Sequence, residues 1–486
     1  MINWHARYAK IISQNKDLLD SSKTILEIGS GLNGIATYLK RPVIGIDKIT
    51  EGVANEWLTI TKGNVTNLYN LDNSYDYVIC VDVLEHLSPD LRSKAISEML
   101  RVARERLIIS CPCDKLAYNY EVHLSCILKN LYGKIPEWLS EHIKHGLPEV
   151  KDIIKILTEL GTAFDVTGNE GIMQHYGGLL LDLQFDQMKS IYDIHTSKTI
   201  FSAPICASEW DRYYSYLFEI DKREKKPIHL KSSHITKTCV DDICHQSTAI
   251  YSVFHQDINS SFLNEIIPIY VGSAAEQKGL HCLTDRLKNS SSLLNTRWSE
   301  LSAIYRIWKE GPHSDIVGFT HYRRLFNFNQ QADIVQDTVI SLNTLGENHQ
   351  KDIYDHDYIC SLIHNGISVA KPYKLNETIW EQYCNIHNTG DWCWVLSKIS
   401  KEHPHLMPYA LEQFEASSLY AYNMFITNWV KFDELCSLWF DILLKFESKV
   451  PPVRSNSYQN RDISFMAERI FDIWIRYKGS STFQVG

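Results

Sequence analysis

Three observations predict an α/β protein with two domains. The chain has 486 residues, which is too long for one ordinary hydrophobic core. Short apolar runs alternate with helical periodicity over residues 24–186, and a second alternation begins at residue 249. A glycine-rich turn follows the first apolar run. Because strands that alternate with helices form a parallel sheet covered on both faces, we expect a doubly wound, Rossmann-like sheet in the N-terminal half.

The expected strands of the N-terminal half are short apolar runs with the spacing of βα units. Four are predicted to be buried parallel strands and two to complete the sheet: residues 25–28, 43–46, 77–81 and 107–110, then 164–166 and 179–185. Residues 88–104 carry apolar side chains at helical periodicity and predict a helix between two of these strands.

The pattern changes twice along the chain and so predicts the domain boundaries. We expect one domain over residues 1–190 and a second over residues 247–486. The intervening residues 191–246 contain a charge run at 221–227 and many Ser, Thr and His residues. This segment is predicted to be a connector with some local structure.

Composition limits the class of protein. Apolar residues make up 44% and charged residues 22%, as in globular proteins, and the net charge of −9 argues against nucleic acid as the main partner. The first ten residues lack the apolar core of a signal peptide, which predicts the cytoplasm and reduced thiols. No uncharged apolar run is long enough to span a membrane, so any association with its inner face would be peripheral.

The glycine-rich turn indicates a nucleotide-like cofactor. Gly29, Gly31 and Gly34 follow the first strand, and without Cβ atoms they let a cofactor lie against the backbone. Asp47 closes the second strand, where a carboxylate can accept both ribose hydroxyls. The glycines alone leave a nicotinamide cofactor and S-adenosylmethionine both open.

Further motifs in order carry a family resemblance over residues 1–190. They are Glu27 two positions before the first glycine, residues 63–65, residues 75–87 and residues 138–148. The N-terminal half therefore resembles class I S-adenosylmethionine-dependent methyltransferases of the small-molecule type. The resemblance implies that the cofactor is held by Glu27, Gly29, Gly31, Gly34, Asp47, Asn64 and Asp82.

Methyl transfer is an in-line displacement, so the enzyme mainly aligns donor and nucleophile. A hydroxyl nucleophile also benefits from a base, and imidazole can take a proton near neutral pH. The candidates are His86, His123, His142 and His145. We place His142 first and His86 second.

The second half also carries motifs in a recognisable series. They are residues 267–272, Asn295 with 300–309, 316–326, then Tyr383, His387 and Asp391, 422–426, and Arg461 with 465–469. This series resembles the bacterial family of capsular and O-antigen glycosyltransferases marked by a His-Tyr-Arg-Arg motif, long a domain of unknown function. It implies an α/β domain of the GT-A-like, nucleotide-sugar-binding kind.

A glycosyltransferase must stabilise the departing nucleotide diphosphate with a metal or with cations. His321, Arg323 and Arg324 follow the strand over residues 316–320, so we expect them to bind the donor diphosphate, because arginine matches phosphate geometry. Residues 355–357 spell Asp-His-Asp but lack a long apolar strand before them. We therefore expect no metal ligands and no required divalent cation.

Inversion at the sugar carbon would need a carboxylate base towards the acceptor. The candidates are Asp391, placed first, then Glu300 and Glu468, with Tyr383 and His387 on the acceptor side.

These motifs lead to one functional hypothesis and three alternatives. The hypothesis is a bifunctional enzyme of capsule or lipopolysaccharide O-antigen biosynthesis, which transfers a sugar from a nucleotide-sugar and a methyl group to a hydroxyl of a glycan or lipid-linked oligosaccharide. The first alternative keeps the methyltransferase and makes the second half a non-catalytic glycan-binding module. The others are a degenerate cofactor-binding scaffold and a nicotinamide-dependent oxidoreductase.

Overall fold

A computed structural model describes most of the chain. The described residues are 2–48, 50–172, 175, 213–223, 247–255, 266–278, 282–287, 295–321, 324–326, 339–341, 359, 363, 366–450, 458–479 and 482–485. They divide into two compact units. The first comprises Met1–Ile228 with Asn388–Met407, and the second comprises His229–His387 with Pro408–Gly486.

The first unit contains a seven-stranded sheet in the order β3-β2-β1-β4-β5-β7-β6. Its strands are β1 (Ile25–Ile28), β2 (Val43–Asp47), β3 (Leu58–Lys62), β4 (Tyr75–Val81), β5 (Ala103–Pro112), β6 (Asp165–Gly171) and β7 (Tyr213–Asp221). The first five strands pair in parallel, and β7 lies antiparallel between β5 and β6. The predicted doubly wound α/β class is confirmed.

Helices of the first unit alternate with its strands. They are α1 (Ile2–Gln14), α2 (Ala36–Leu39), α3 (Pro89–Val102), α4 (Asp114–Tyr132), α5 (Glu137–His145) and α6 (Val150–Glu159), with α11 (Thr389–Glu402) from the later segment. Tyr8 and Ile11 of α1 are buried with Ile25 of β1 and Leu18 in one apolar cluster. Burial of this face packs α1 against the sheet.

Strand β6 forms an edge of this sheet, and helix α11 covers it. The backbone amides of Phe164 and Val166 donate to the hydroxyls of Ser400 and Ser397, at 3.3 and 2.8 Å. The side chain of Lys401 bonds to Asp165 at 2.5 Å. Serine hydroxyls thus satisfy edge amides that would otherwise lack partners in a buried position.

The second unit contains a mixed sheet. Its main strands are β8 (Thr248–Phe254), β9 (Ile267–Tyr270), β10 (Ile316–His321), β11 (Arg324–Phe326), β12 (Val339–Ser341), β13 (Ile367–Ala370), β16 (Phe425–Asn428) and β17 (Thr482–Val485). Strands β9, β8 and β10 run in parallel, and β16 lies antiparallel between β10 and β13. Two short strands, β14 (Tyr373–Lys374) and β15 (Ser418–Leu419), pair separately. The predicted α/β class is confirmed here as well.

The helices of the second unit supply much of its core. They are α7 (Gly272–Lys278), α8 (Asn295–Trp298), α9 (Leu301–Glu310), α10 (Ile379–Ile386), α12 (Met407–Glu415), α13 (Trp429–Lys449) and α14 (Asp462–Lys478). Trp298, Trp439 and Trp474 are fully buried. The indole N–H groups of Trp298 and Trp439 donate to Glu447 and to the Ala467 carbonyl, at 2.8 and 2.9 Å, so these buried polar groups have partners.

The structure confirms the four predicted parallel strands and the helix between them, with ends shifted by a few residues. The predicted strand at 179–185 lies outside the described residues. Strand β7, by contrast, lies inside the segment predicted to be a connector. Its aromatic and β-branched residues favour a strand, but its place in the sheet depends on pairing with β5 and β6. Among the described residues, no helix has the length and apolar character needed to cross a membrane.

Candidate functional site

The candidate site of the first unit lies at the carboxyl ends of β1 and β4. The strand order reverses at this point, because β1 pairs with β2 on one side and with β4 on the other. Ligands of open α/β sheets bind in the crevice at such a switch point. The glycine-rich loop follows β1, and a short turn over Leu84–His86 follows β4.

The glycine-rich loop has a left-handed backbone at all three predicted glycines. Gly29, Gly31 and Gly34 have φ of 72°, 54° and 51°. A Cβ at Gly34 would lie 2.1 Å from Glu27 Oε2, whereas a Cβ at Gly31 would have no neighbour within 4 Å. Gly34 therefore makes room for a protein carboxylate, and Gly31 leaves an open space where a ligand can approach the backbone.

Glu27 supports the glycine-rich loop through hydrogen bonds. Its carboxylate is buried and accepts hydrogen bonds from the Tyr8 hydroxyl at 2.7 Å and the Ile35 amide at 2.8 Å. Burial raises the pKa of Glu27 to about 7, although these two hydrogen bonds act in the opposite direction. Because both oxygens of Glu27 are occupied by the protein, its role here is to shape the loop.

Asp47 is the last residue of β2, and Asn64 lies after the neighbouring strand β3. The Gly31 amide donates to Asp47 Oδ2 at 2.8 Å, so Asp47 fixes the tip of the glycine-rich loop while remaining partly exposed. Asn64 Oδ1 accepts from the amide and the hydroxyl of Thr66, both at 3.0 Å. Asn64 is thus oriented by a local turn, with its amide nitrogen not used in that turn.

Asp82 lies directly after β4 in a left-handed conformation, with φ of 54°. Its carboxylate forms an ion pair with Arg7 of α1. Arg7 also approaches Glu170, whose carboxylate bonds to His175 at 3.1 Å. The first helix therefore contributes a charged group to the site, which no sequence motif indicated.

The two histidines that we placed first as bases come together in the structure. Their Nε2 atoms lie 3.3 Å apart. His86 Nδ1 bonds to Glu141 at 2.7 Å, and His142 Nδ1 bonds to Glu121 at 2.9 Å. Burial is the main cause that lowers the pKa of His86. His123, also a candidate in the sequence, is exposed on α4.

Two buried carboxylates surround this histidine pair. Glu121 is fully buried and also accepts from the Tyr214 hydroxyl at 2.6 Å. Glu85 is fully buried too, and neither of its oxygens has a hydrogen-bond partner in another described residue. Burial raises the pKa of Glu85 well above its ordinary value. Sequence reasoning missed the roles of both residues, because they approach the histidines only through the packing of α4, α5 and the turn after β4.

In the second unit, the described part of the His-Tyr-Arg-Arg motif surrounds one aromatic residue. His321 Nε2 donates to the Tyr422 carbonyl at 2.7 Å, and the Arg324 guanidinium carbon lies 3.9 Å from the Tyr422 ring centre. Tyr322 and Arg323 lie outside the described residues, as do residues 355–357. The structure thus joins two motifs that are about a hundred residues apart in the sequence.

Tyr422 and Asn423 form a turn, called here the Tyr422 turn, with two consecutive left-handed residues. Their φ values are 75° and 49°, which cost energy for residues other than glycine. The Tyr422 amide donates to Glu468 at 3.0 Å, and the Asn423 side chain donates to Glu300 at 2.7 Å. Burial raises the pKa of Glu468, and the neighbouring Arg469 acts against this rise.

The other predicted residues occupy different places. The rings of Tyr383 and His387 lie in contact at a tilted angle, with their centres 4.9 Å apart, and burial is the main cause that lowers the pKa of His387 to about 4. Asp391 lies in the first turn of α11, which belongs to the first unit. Glu300 and Glu468 therefore meet at the Tyr422 turn, whereas Asp391 is assigned to a different unit.

The fold and the loop define the class of the first unit. A doubly wound sheet, a glycine-rich loop at its switch point and a carboxylate at the end of the second strand are together typical of nucleotide-cofactor sites. Residues 26–109 match the family model described as a methyltransferase domain. The chain is therefore an enzyme that contains a methyltransferase domain.

Residues 249–479 match a second family model, described as a domain of unknown function, DUF4422. A comparison with curated proteins gives no significant match.

Solved structures similar to this chain include a glycosyltransferase and several methyltransferases. WbbM, a bifunctional glycosyltransferase in its apo form, is 23% identical over 49% of this chain and 45% of its own, with a TM-score of 0.43. The chain thus spans less than half the length of WbbM. Magnesium protoporphyrin IX methyltransferase from Synechocystis PCC 6803, with bound SAH, is 19% identical over 44% of this chain and 83% of its own, with a TM-score of 0.26. Phosphoethanolamine N-methyltransferase 2 from Haemonchus contortus, in complex with S-adenosyl-L-methionine, is 18% identical over 43% and 52%, with a TM-score of 0.28.

Proposed function

We propose that the chain is a bifunctional cytoplasmic enzyme of surface-polysaccharide assembly. Its first unit transfers a methyl group from S-adenosylmethionine to a glycan hydroxyl, and its second unit transfers a sugar from a nucleotide-sugar donor. The observation that carries the proposal is the glycine-rich loop fixed by Glu27 and Asp47 within a methyltransferase domain. The acceptor would be a glycan or a lipid-linked oligosaccharide, reached peripherally at the inner face of the membrane.

The residues of the first unit fit S-adenosylmethionine. The open space over Gly31 lets a ligand contact the backbone, and the partly exposed Asp47 can accept ribose hydroxyls while it keeps the Gly31 hydrogen bond. Asn64 lies after β3, and its side-chain amide nitrogen, which the turn to Thr66 does not use, would bind the adenine. S-adenosylmethionine supplies an electrophilic methyl group on a sulfonium.

The protein then has to align the acceptor hydroxyl with the methyl group and allow the proton of that hydroxyl to leave. As the acceptor oxygen bonds to the methyl carbon, the carbon–sulfur bond breaks and its electron pair goes to sulfur. The acceptor hydroxyl must lose its proton in the same process. Val83, two residues before Glu85 in the chain, packs closely on the glycine-rich loop, since a Cβ added at Gly29 would lie 2.3 Å from its side chain. The cluster of Glu85, His86 and His142 therefore lies next to the loop. This cluster is therefore the polar group that we assign to the acceptor.

For the second unit, the Tyr422 turn supports sugar transfer. It gathers His321 and Arg324, the described residues of the predicted diphosphate site, with the buried carboxylate of Glu300 and the partly buried carboxylate of Glu468. A cation for the leaving diphosphate and a carboxylate for the acceptor hydroxyl are the two groups that glycosyl transfer needs. The linkage of two active units in one chain would raise the effective concentration of a shared glycan.

The test uses two variants of the full chain and mass spectrometry of products. A panel of nucleotide-sugars is offered with extracted lipid-linked glycan, with and without S-adenosylmethionine. Asp47→Ala should abolish the methyl mass gain while the sugar gain persists, and Arg324→Ala should do the reverse. Loss of both activities in either variant would contradict two independent sites.

A non-catalytic glycan-binding second unit is the alternative. It predicts a methyl gain without any sugar gain, no hydrolysis of any nucleotide-sugar, and no thermal stabilisation of the chain by nucleoside diphosphates. Either hydrolysis or stabilisation would exclude it.

A further inference from the structure

The histidine pair of the first unit has an unusual hydrogen-bond arrangement. His86 Nδ1 and His142 Nδ1 each contact a carboxylate, which can only accept a hydrogen bond when ionised. The proton of each neutral ring therefore resides on Nδ1, and each Nε2 carries a lone pair. Because the two Nε2 atoms lie 3.3 Å apart, two lone pairs face each other at a partly buried position, where His142 is buried and His86 is partly exposed.

A cation between these nitrogens would convert this repulsion into two bonds. Metal–imidazole bonds of about 2.1 Å and the 3.3 Å separation give an angle of roughly 100° at the metal, within the range of tetrahedral and octahedral coordination. Histidine ligands commonly donate their other ring N–H to a carboxylate, which orients the ring. Glu121 and Glu141 occupy those positions here.

Glu85 supplies a third ligand. Its carboxylate is fully buried without a partner in another described residue, and its Oε1 lies 4.0 Å from His142 Nε2. One ligand atom from each of Glu85, His86 and His142 lies within 4.8 Å of the others. A small rotation of the Glu85 side chain would bring all three into one coordination sphere.

We propose that Glu85, His86 and His142 hold one divalent transition-metal ion. Two imidazoles and one carboxylate favour ions such as Zn²⁺ or Mn²⁺ over Mg²⁺ and Ca²⁺, which prefer oxygen ligands alone. Three protein ligands leave a coordination position open. The sequence predicts no metal ligands; Glu85 and His86 are adjacent in the chain, and His142 is more than fifty residues away.

The open position would bind the acceptor oxygen, a role that rests on the proposed methyl transfer. A metal ion lowers the pKa of a bound hydroxyl, so the proton leaves to water before or during transfer. The bound oxygen then bonds to the methyl carbon as the carbon–sulfur bond breaks, with its electron pair retained by sulfur. The two histidines act as ligands in this scheme, and neither has to accept the proton.

The experiment titrates Co²⁺ into the full chain after removal of metals with a chelator, without S-adenosylmethionine or glycan. The wild-type protein should bind one equivalent, with a visible Co²⁺ absorption that Zn²⁺ abolishes by displacement. Glu85→Gln and His142→Gln should lower the Co²⁺ affinity at least about 100-fold, since removal of a ligand exceeds the effect of a residue that only orients one. His123→Gln changes an exposed histidine on the same helix as Glu121 and should keep full binding.

Binding of S-adenosylhomocysteine by each variant shows that the unit is folded, and Glu85→Gln preserves the shape of the side chain. The proposal is overturned if the wild-type chain shows no saturable Co²⁺ binding, as expected for a proton shared by the two rings. Equal affinity in all three variants would overturn it as well. Co²⁺ binding without methyl transfer to any glycan would leave the metal site standing and refute the proposed function.

Discussion

The glycine-rich loop of the first unit and the Tyr422 turn of the second unit use the same left-handed backbone in different ways. In the loop, Gly29, Gly31 and Gly34 adopt positive φ, which glycine tolerates without steric cost. In the turn, Tyr422 and Asn423 adopt positive φ although both carry side chains. Hydrogen bonds to Glu468 and Glu300, together with His321, hold the turn in place.

The comparison shows that a left-handed backbone at a site can arise in two ways, from glycine itself or from contacts that hold another residue in that conformation. A glycine encodes the left-handed conformation at its own position, so the loop can be recognised in the sequence. For residues with a Cβ, the left-handed conformation costs about 1–2 kcal/mol of free energy, and contacts with residues distant in sequence must offset that cost. The Tyr422 turn therefore depends on its neighbours, and substitutions should separate the two cases.

The largest expected effect is that of Gly34→Ala. The new Cβ would meet the Glu27 carboxylate at 2.1 Å and would also require φ of 51° for alanine. We expect a loss of about 4 kcal/mol in the free energy of unfolding, from backbone cost and a disrupted buried hydrogen bond, and loss of S-adenosylhomocysteine binding by calorimetry.

Gly133→Ala is the matched control, since Gly133 has φ of 73° and open space around its Cβ position. It should cost about 1 kcal/mol and leave binding unchanged. If Gly34→Ala behaves like this control, the loop does not depend on the space that Gly34 provides for Glu27.

The second prediction concerns pH and the buried carboxylate beneath the loop. The pKa of Glu27 rises from an ordinary 4.5 to about 7 in the folded state, so folding favours its neutral form. Below about pH 4.5, Glu27 is neutral in both states and does not reduce the free energy of unfolding. Its destabilising effect grows as the pH rises from 4.5 to about 7 and stays constant above pH 7. At about 1.4 kcal/mol per pKa unit, the free energy of unfolding should fall by about 3 kcal/mol across that window.

Glu27→Gln removes this titration. Denaturant unfolding at pH 4.5 and pH 8 should therefore show a smaller decrease in stability for Glu27→Gln than for the wild-type chain. Identical decreases in the two proteins would mean that Glu27 does not titrate in this range.

The third and smallest effect belongs to the Tyr422 turn. Asn423→Ala removes the hydrogen bond to the buried Glu300 and should cost about 2 kcal/mol. Asn423→Gly loses the same bond but relieves the strain of φ 49°, so it should be about 1 kcal/mol more stable than Asn423→Ala. Equal unfolding free energies for the two variants would show that the turn carries no backbone strain.

Much of the first unit could be predicted because its signals are local. Strand 77–81 is a continuous apolar run and strand 25–28 is apolar except for Glu27, and the glycines mark the loop between strand and helix. The pairing of His86 with His142 could not be predicted, since it depends on how α5 packs against the turn after β4. The exposed His123 has the same residue type, and only its position in the fold separates it from His142.

The sequence by itself determined the α/β class, the glycine-rich loop and the carboxylates around it, because periodicity and backbone freedom are properties of short segments. The tertiary structure decided what long-range packing controls. It placed β7 within the sheet, brought Ser397 and Ser400 of α11 to the edge strand β6, and gathered Glu85, His86 and His142 into one cluster. A buried polar group finds its partner only after the chain has folded, so such partners are not encoded in any local pattern.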